Sequence, residues 1–222
     1  MPTDLNAPAP GRQARPKAVI FDIGRVIVRL NLNRAFAPIA AGMRDNGGSA
    51  QRLSPEEVWK IICEDERWPD WQEGRLSPQE WHEHLMRRLK LSLTYAQFRE
   101  AWNLVLDPQT ILSDELFARL SERCRLALLS NTDPLHVAAL EERFTFSRHF
   151  PVRIYSCSVG ASKPSPAIYR AALEGLGLSA SEALYVDDIE EFVDAARELG
   201  LDAIRFESGG GLEDQLRRRD LL

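Results

Sequence analysis

Short apolar segments alternate with helical segments through the second half of this chain, and this alternation limits the fold more than any other feature. The apolar segments have strand length, and the segments between them begin at proline or a capping residue and carry apolar residues at helical spacing. Such alternation is typical of a doubly wound parallel sheet in an α/β protein. The predicted strands are 125–130, 154–159, 183–188 and 203–206, and the predicted helices are 134–143, 166–176 and 190–199.

One more strand is predicted near the start, at residues 17–22. It is a short apolar run that ends in Asp22 and is followed at once by Gly24. Ligands of open parallel sheets bind outside the carboxyl ends of the strands, so an acid at this end points into the expected pocket. A strand-terminal Asp is about as often a turn or cap residue, and the polar segments downstream decide between these interpretations. We expect Asp22 to be a nucleophile.

Residues 31–107 contain helical signals without strands. Three capping boxes, two with proline at the first helical position, each start a helix. With a further helix at 34–43 they predict an inserted four-helix bundle that also holds all five tryptophans. Trp81 and Trp102 are predicted packing residues, whereas Trp68 and Trp71, which flank Pro69, form either an exposed apolar rim or local packing. The capping boxes are Ser54-Pro-Glu-Glu57, Ser77-Pro-Gln-Glu80 and Thr94-Tyr-Ala-Gln97.

Composition excludes several classes of function. A chain of 222 residues with 44% hydrophobic content can bury a full core. Its net charge of -5 gives no basic stripe, so a nucleic-acid partner is not expected. Three cysteines without a paired spacing indicate reduced thiols in a cytoplasmic protein, and no stretch reaches the length of a membrane span. Residues 1–16, rich in proline, are predicted to be a disordered leader.

Polar side chains follow the predicted strands at their carboxyl ends, where parallel strands share one edge of a sheet. They supply a carboxylate, neutral donors, a cation and an acidic pair. Together these groups can neutralise and attack a phosphoryl group and hold Mg²⁺, which prefers oxygen ligands. Each segment alone is equally explained as a helix cap or a solvated loop charge. The segments are Asp22-Ile-Gly24, Ser130-Asn-Thr132, Ser162-Lys-Pro164 and Asp187-Asp188.

The chain resembles the haloacid dehalogenase (HAD) superfamily, and specifically its capped phosphatases. The resemblance covers nearly everything after residue 16. Two segments, Trp71-Gln-Glu-Gly-Arg-Leu-Ser77 and Ser130-Asn-Thr-Asp-Pro-Leu-His136, look most like a bacterial branch that includes sugar phosphatases of the glucose-1-phosphatase type. The matching motifs are Val19-Ile-Phe-Asp-Ile-Gly-Arg-Val-Ile27, Leu129-Ser-Asn-Thr132, Ser162-Lys-Pro-Ser-Pro-Ala-Ile-Tyr169 and Tyr185-Val-Asp-Asp188, with Ala195-Ala196 and Gly200.

The resemblance implies a Rossmann-like core at 17–30 and 108–222, a helical cap at 31–107, Mg²⁺ dependence and a phosphoaspartyl intermediate. It also implies roles for particular residues. Ser130 would hold the transferring phosphoryl group, and Lys163 would steady the nucleophile and the phosphate. Asp188 is the preferred direct metal ligand. The implied catalytic residues are Asp22, Ser130 and Lys163, and the implied metal ligands are Asp22, the Gly24 carbonyl, Asp187 and Asp188.

The chain departs from the family pattern at Gly24. Most HAD phosphatases have a second acid here, which protonates the leaving group; its loss often costs about 10²- to 10⁴-fold in rate. The branch named above also tends to have glycine at this position. Arg25 is the unusual neighbour. Our hypothesis is that Arg25 contacts substrate, with Gly24 and Asn131 as further substrate contacts, and the alternative is an ordinary surface arginine. His136 is expected to be a packing or surface histidine.

The sequence thus predicts a cytoplasmic Mg²⁺-dependent phosphomonoesterase for a small phosphorylated metabolite, with a sugar phosphate favoured. Two alternatives stay open. A 2-haloacid dehalogenase would also use Asp22 without a second acid, although it would need no metal and the pair Asp187-Asp188 argues against it. A phosphate-binding or regulatory protein with weak turnover is supported by Gly24 alone. The sequence does not specify the oligomeric state.

Overall fold

The computed structural model describes residues 15–42 and 53–222, so most of the predicted leader lies outside the described residues. Seven strands form within them. The strands are β1 (Ala18–Phe21), β2 (Val28–Leu30), β3 (Leu106–Thr110), β4 (Arg125–Ser130), β5 (Val152–Tyr155), β6 (Ala183–Asp187) and β7 (Asp202–Arg205).

A parallel five-stranded sheet in the order β5-β4-β1-β6-β7 forms the centre of the protein. This confirms the predicted sheet. Its middle strand is apolar on both faces: Val19 and Phe21 pack into one hydrophobic cluster, and Ala18 and Ile20 into the other. The chain crosses from β1 towards β4 but leaves β6 towards β7, so the carboxyl ends of β1 and β6 flank the point where the strand order reverses. Open α/β sheets bind ligands at this point.

The helices have the following bounds. They are α1 (Leu32–Gly42), α2 (Pro55–Cys63), α3 (Trp68–Gln72), α4 (Pro78–Leu89), α5 (Tyr95–Asn103), α6 (Asp114–Ser121), α7 (Pro134–Arg143), α8 (Ser156–Val159), α9 (Pro166–Leu176), α10 (Glu190–Glu198) and α11 (Leu212–Arg218), with short 3-10 helices at Thr145–His149 and Ala180–Glu182. In the described residues no helix has the length and apolar character needed to cross a bilayer.

The described residues of the inserted segment, 31–42 and 53–105, are mainly helical, as predicted, and Met43, the last residue of the first predicted helix, lies outside the described residues. All three capping boxes form, with Ser54, Ser77 and Thr94 each accepting a bond from the backbone three residues on. A fifth, short helix, α3, was not predicted, because the helical register is broken around Pro69, which stands in its first turn. We call this segment the cap.

Two local predictions differ from the structure. The strand expected at 154–159 ends at Tyr155, and the next four residues turn into α8. In addition, β2 and β3 pair antiparallel where the chain enters and leaves the cap, with Leu30 opposite Leu106. No sequence signal predicts this pair, because β2 has only three residues and β3, Leu-Asp-Pro-Gln-Thr, shows no apolar alternation.

The cap touches the core closely at Gly74, just after α3. Its backbone φ is 70°, and a Cβ atom added there would lie 2.0 Å from the carbonyl oxygen of Cys157 in α8. The hydroxyl of Ser156 also donates to the carbonyl oxygen of Gln72 at 2.7 Å. Cap and core therefore meet backbone to backbone here, with room for glycine only.

We predict that Gly74→Ala destabilises the protein more than Gly177→Ala. Gly177 has a similar φ of 60° but nothing within 4 Å of an added Cβ, so alanine there pays only the left-handed backbone strain, about 1–2 kcal/mol. At Gly74 overpacking should add about 1–3 kcal/mol. Urea unfolding of the two variants measures the difference, and equal losses would show that the contact with Cys157 relaxes freely.

Candidate active site

Three acids meet at one edge of the sheet. Asp22 follows β1, and Asp187 and Asp188 lie at the end of β6, the strand paired beside β1. One carboxylate oxygen from each residue lies within 4.8 Å of the other two. Hard oxygen atoms at this spacing suit a divalent cation such as Mg²⁺. The structure thus brings together the acids that the sequence singled out.

Lys163 is buried between two of these acids. Its Nζ donates to Asp22 Oδ1 at 2.6 Å and to Asp187 Oδ2 at 2.7 Å, with a longer bond of 3.3 Å to the carbonyl oxygen of Leu129. The ammonium also lies 5.0 Å from the centre of the Phe192 ring. Water hardly reaches this cation, so the carboxylates and the ring replace its solvation.

Burial and charge change the acidity of these groups. Burial raises the pKa of Asp22 to about 6; Lys163 opposes the shift and Asp187 adds to it. Burial alone would lower the pKa of Lys163, but the charges of Asp22 and Asp187 outweigh burial and raise it. Lys163 is therefore a cation at neutral pH. The raised pKa of Asp22 makes its carboxylate more basic, which suits a nucleophile.

Asp187 differs from the other two acids because both of its oxygens are used internally. Oδ2 accepts from Lys163 and, at short range, from the Tyr185 hydroxyl, and Oδ1 accepts from the backbone N–H of Ile189 at 2.9 Å. Asp188 is only half-buried. This geometry favours Asp22 and Asp188 as direct metal ligands, with Asp187 holding Lys163. Tyr185 was missed in the sequence; its signal was the alternation that places it on the same face of β6 as Asp187.

Arg25 stands in a tight turn directly after Asp22. Its φ of 61° is left-handed, which is uncommon for a residue other than glycine. Its backbone N–H donates to the carbonyl of Val28 at 2.7 Å, and its Nε lies 2.8 Å from Asp188 Oδ2. Burial raises the pKa of Asp188, and the Arg25 charge opposes that shift. Arg25 thus lies at the edge of the acid cluster, where a substrate contact stays a prediction.

The two polar residues at the end of β4, Ser130 and Asn131, have different surroundings. Ser130 is buried and lines a cavity beside Gly24. The amide of Asn131 also lines it, but both ends of this amide bond the backbone of Lys163: Oδ1 accepts from its N–H at 2.7 Å, and Nδ2 donates to its carbonyl at 3.0 Å. Asn131 therefore positions the lysine loop, in addition to any contact with substrate that the sequence predicts.

The cavity lies between the core and the cap and has a volume of about 320 Å³. Its core side carries Gly24, Ser130 and their neighbours, and its cap side carries the indoles of Trp59 and Trp68. Trp71, by contrast, is fully buried and stacks on Trp81 at 5.7 Å. Trp68 also lines the cavity, but it is half-buried and packs against Trp59, Trp81 and Trp102. The local-packing interpretation is therefore right for both Trp68 and Trp71, and the exposed rim is wrong.

A buried polar link joins the cap to the core at the cavity wall. Asp133 caps α7 through the N–H groups of Leu135 and His136, and its Oδ2 accepts from Trp102 Nε1 at 3.0 Å. His136 Nδ1 lies 2.8 Å from the same Oδ2, and its Nε2 lies 3.1 Å from the carbonyl oxygen of Trp102. His136 is thus the packing histidine that was predicted. The role of Asp133 was missed because Trp102 is distant in sequence.

The chain belongs to the haloacid dehalogenase-like hydrolases. A sequence model of that family matches residues 16–200. This establishes the hydrolase class that the active-site motifs predicted, and it covers the whole of the acid cluster, Lys163 and Ser130.

Relatives extend the comparison. D-ribitol-5-phosphate phosphatase of Bacteroides thetaiotaomicron is 25% identical over 208 residues, covering 90% of this chain and 96% of that protein. The crystal structure of a HAD family enzyme from the same organism, in complex with magnesium and inorganic phosphate, has a TM-score of 0.76 at 22% identity and covers 91% of this chain and 100% of that chain. A predicted HAD-like hydrolase from Porphyromonas gingivalis has a TM-score of 0.74 at 24% identity, covering 92% and 98%. These structures share the fold.

We predict that Lys163→Met destabilises the protein by about 3–5 kcal/mol, because it leaves two buried carboxylates without their cation. Adding Asp22→Asn to this variant should restore part of the loss, since one of the two buried charges is then removed. Urea unfolding in the presence of EDTA measures both variants. A double variant that is no more stable than Lys163→Met would contradict the assigned electrostatics.

A second prediction concerns pH. Burial alone would lower the pKa of His136, but the Asp133 charge and the bonds to Asp133 and Trp102 raise it. A raised pKa in the folded state means that the stabilisation is complete below the unfolded value of about 6.5 and is lost as the pH rises through the folded value. The stability advantage of wild type over His136→Gln should therefore be constant below about pH 6.5 and should narrow as the pH rises above it, by at most about 1.4 kcal/mol per pH unit.

Urea unfolding across that pH range measures this advantage. His149→Gln is the matched control, because among the described residues no carboxylate pairs with the half-buried His149, and its difference from wild type should not show the same narrowing. A constant difference for His136→Gln would show that the protonated histidine is not part of the link.

Proposed function

We propose that this hydrolase is a Mg²⁺-dependent phosphomonoesterase acting on a small phosphorylated sugar or sugar alcohol. The observation that carries the proposal is the position of Asp22: a basic carboxylate at the carboxyl end of the central strand, paired with buried Lys163 and clustered with Asp187 and Asp188. A phosphoryl dianion needs neutralising charge before a carboxylate can attack it, and this site provides a cation and a place for a second.

One carboxylate oxygen of Asp22 attacks phosphorus while the bond to the leaving oxygen breaks, and the leaving oxygen takes a proton from water because Gly24 supplies none. A second water then attacks the phosphorus of the aspartyl phosphate, which releases inorganic phosphate and restores the Asp22 carboxylate. Lys163 holds Asp22 in place and contributes positive charge to the phosphoryl oxygens. Ser130 donates its hydroxyl to one of them from the opposite loop. Mg²⁺ bound at Asp22 and Asp188, with the carbonyl oxygen of Gly24, would further neutralise the phosphoryl charge.

Two features support a sugar-like leaving group. Gly24 supplies no proton, which is least damaging for a leaving oxygen that departs without strong acid assistance, as at an anomeric carbon. Facing it across the cavity, Trp59 and Trp68 offer flat apolar surface for the C–H faces of a carbohydrate. The Bacteroides relative is a D-ribitol-5-phosphate phosphatase, which supports a sugar alcohol phosphate as substrate, although the leaving group of that substrate is a primary alcohol and not an anomeric oxygen.

The rival functions depend on the same residues. A 2-haloacid dehalogenase needs no metal, so the convergence of Asp187 and Asp188 on Asp22 disfavours it. A phosphate-binding protein with little turnover remains the second candidate, and Gly24 is the observation in its favour.

The test is phosphate release from a panel of sugar and polyol phosphates, with Mg²⁺ and with EDTA. We expect release that requires Mg²⁺ and that falls by at least about 10³-fold in Asp22→Asn, since the amide is not a nucleophile. Arg170→Gln, an exposed change on α9, is the matched control and should retain activity. Release that persists in Asp22→Asn would reject Asp22 as the nucleophile. No release from folded wild-type protein would favour the phosphate-binding protein.

A further inference from the structure

A second cavity adjoins the acid cluster on the side away from the cap tryptophans. It has a volume of about 550 Å³ and shares Arg25 and Leu30 with the first cavity, so the two lie on either side of these residues. Three arginines, Arg25, Arg29 and Arg205, line it together with Asp188. The lining therefore sets three guanidinium groups against the carboxylates of Asp188 and Glu207, which is a small excess of positive charge in a chain of net charge -5.

Each of the three arginines has N–H groups that could donate to a bound anion. Arg29 makes no ion pair or hydrogen bond with any described residue through its exposed side chain. Arg205 pairs with Glu190 at 3.1 Å, but both side chains are about half exposed, and such surface pairs contribute little. Arg25 pairs with Asp188 through Nε, and no hydrogen bond joins its terminal nitrogens to the described part of the chain.

Arg25 and Arg29 also lie on a backbone segment that is held in place by hydrogen bonds and burial. The turn that carries Arg25 closes with bonds from the N–H groups of Ile27 and Val28 to the carbonyl of Ile23 at 2.9 and 2.8 Å. Arg29 follows on β2, where the flanking Val28 is fully buried and anchors the strand. Both guanidinium groups are therefore presented by a rigid segment that begins directly at Asp22.

We propose that this cavity is a subsite for a second anionic group on the substrate, a phosphate or a carboxylate separate from the phosphoryl group that Asp22 attacks. A neutral sugar has no use for three guanidinium groups, whereas these groups bind the paired oxygens of phosphate or carboxylate in a planar fork. The inference rests on the proposed function, because it places the first phosphoryl group at Asp22.

The acidic residues around the cavity compete with an anionic ligand for the three arginines. Asp188 and Glu207 line the cavity, and Glu190 faces Arg205. Asp188 is both the partner of Arg25 and a candidate metal ligand, so a divalent cation held by Asp22 and Asp188 would compete with Arg25 for this carboxylate and leave the guanidinium available to an anion. The subsite is therefore most attractive to anions when the divalent cation is bound.

Calorimetric binding to the Asp22→Asn protein with Mg²⁺ tests the subsite without turnover, and Asp22→Ala is a second inactive background. The probes are glucose 6-phosphate, glucose 1,6-bisphosphate and 6-phosphogluconate. We expect the two probes with a second anion to bind at least about tenfold more tightly than the monophosphate, with the ratio falling below about threefold in Arg29→Gln. Arg170→Gln on α9 is the matched control and should keep the full ratio.

The arms of the experiment have separate meanings. Tight binding of the bisphosphate alone identifies a phosphate subsite, and tight binding of both probes identifies a general anion subsite. Equal binding of all three probes, or a ratio that survives in Arg29→Gln, overturns the proposal. If wild-type protein releases phosphate from none of the probes, the phosphatase function is rejected. The ratio of dissociation constants then still tests the subsite.

Discussion

The contact of Lys163 with Asp22 and Asp187 is the constraint on which the rest of the site depends. Lys163 is 141 positions from Asp22 and 24 positions from Asp187 in sequence. Its contact with both therefore fixes the loop before α9 against the ends of β1 and β6. Buried ion pairs are poor contributors to net stability, because desolvation offsets most of their attraction. A fold that needed only stability would be better served here by apolar side chains. The arrangement is therefore evidence for chemistry.

Sequence predicted the parts of this site that lie at strand ends. Asp22, Ser130 and Asp187 each follow an apolar run, and parallel strands necessarily bring such ends to one edge. The internal use of Asn131 and of Tyr185 was not predictable in the same way. Asn131 bonds the backbone of Lys163, 32 positions away, and no local pattern indicates this contact. Alternation along β6 places Tyr185 on the same face as Asp187, but it does not show that the hydroxyl bonds the carboxylate.

The fold was predicted to a similar depth. Strong local signals, such as the capping boxes at Ser54, Ser77 and Thr94, correspond to helices as expected. The predictions are wrong where tertiary contacts override local preference. α8 replaces the end of a predicted strand, and there the hydroxyl of Ser156 bonds the backbone of Thr132 in the core and of Gln72 in the cap. The β2–β3 pair is another case, because each strand is stable only through its partner, distant in sequence.

That strand pair also determines how the cap can move. The chain enters the cap by β2 and leaves it by β3, and the two are hydrogen-bonded side by side. The two strands cannot slide past each other without breaking those bonds, and a two-stranded pair of this kind yields only by bending. Any such bending of the pair would have to break the close contact of Gly74 with Cys157 and the bond from Trp102 to Asp133, so these contacts hold the cap against the core. The wall formed by Trp59 and Trp68 is therefore kept in one place opposite Gly24 and Ser130, and the shape of the cavity depends on the cap and the core together.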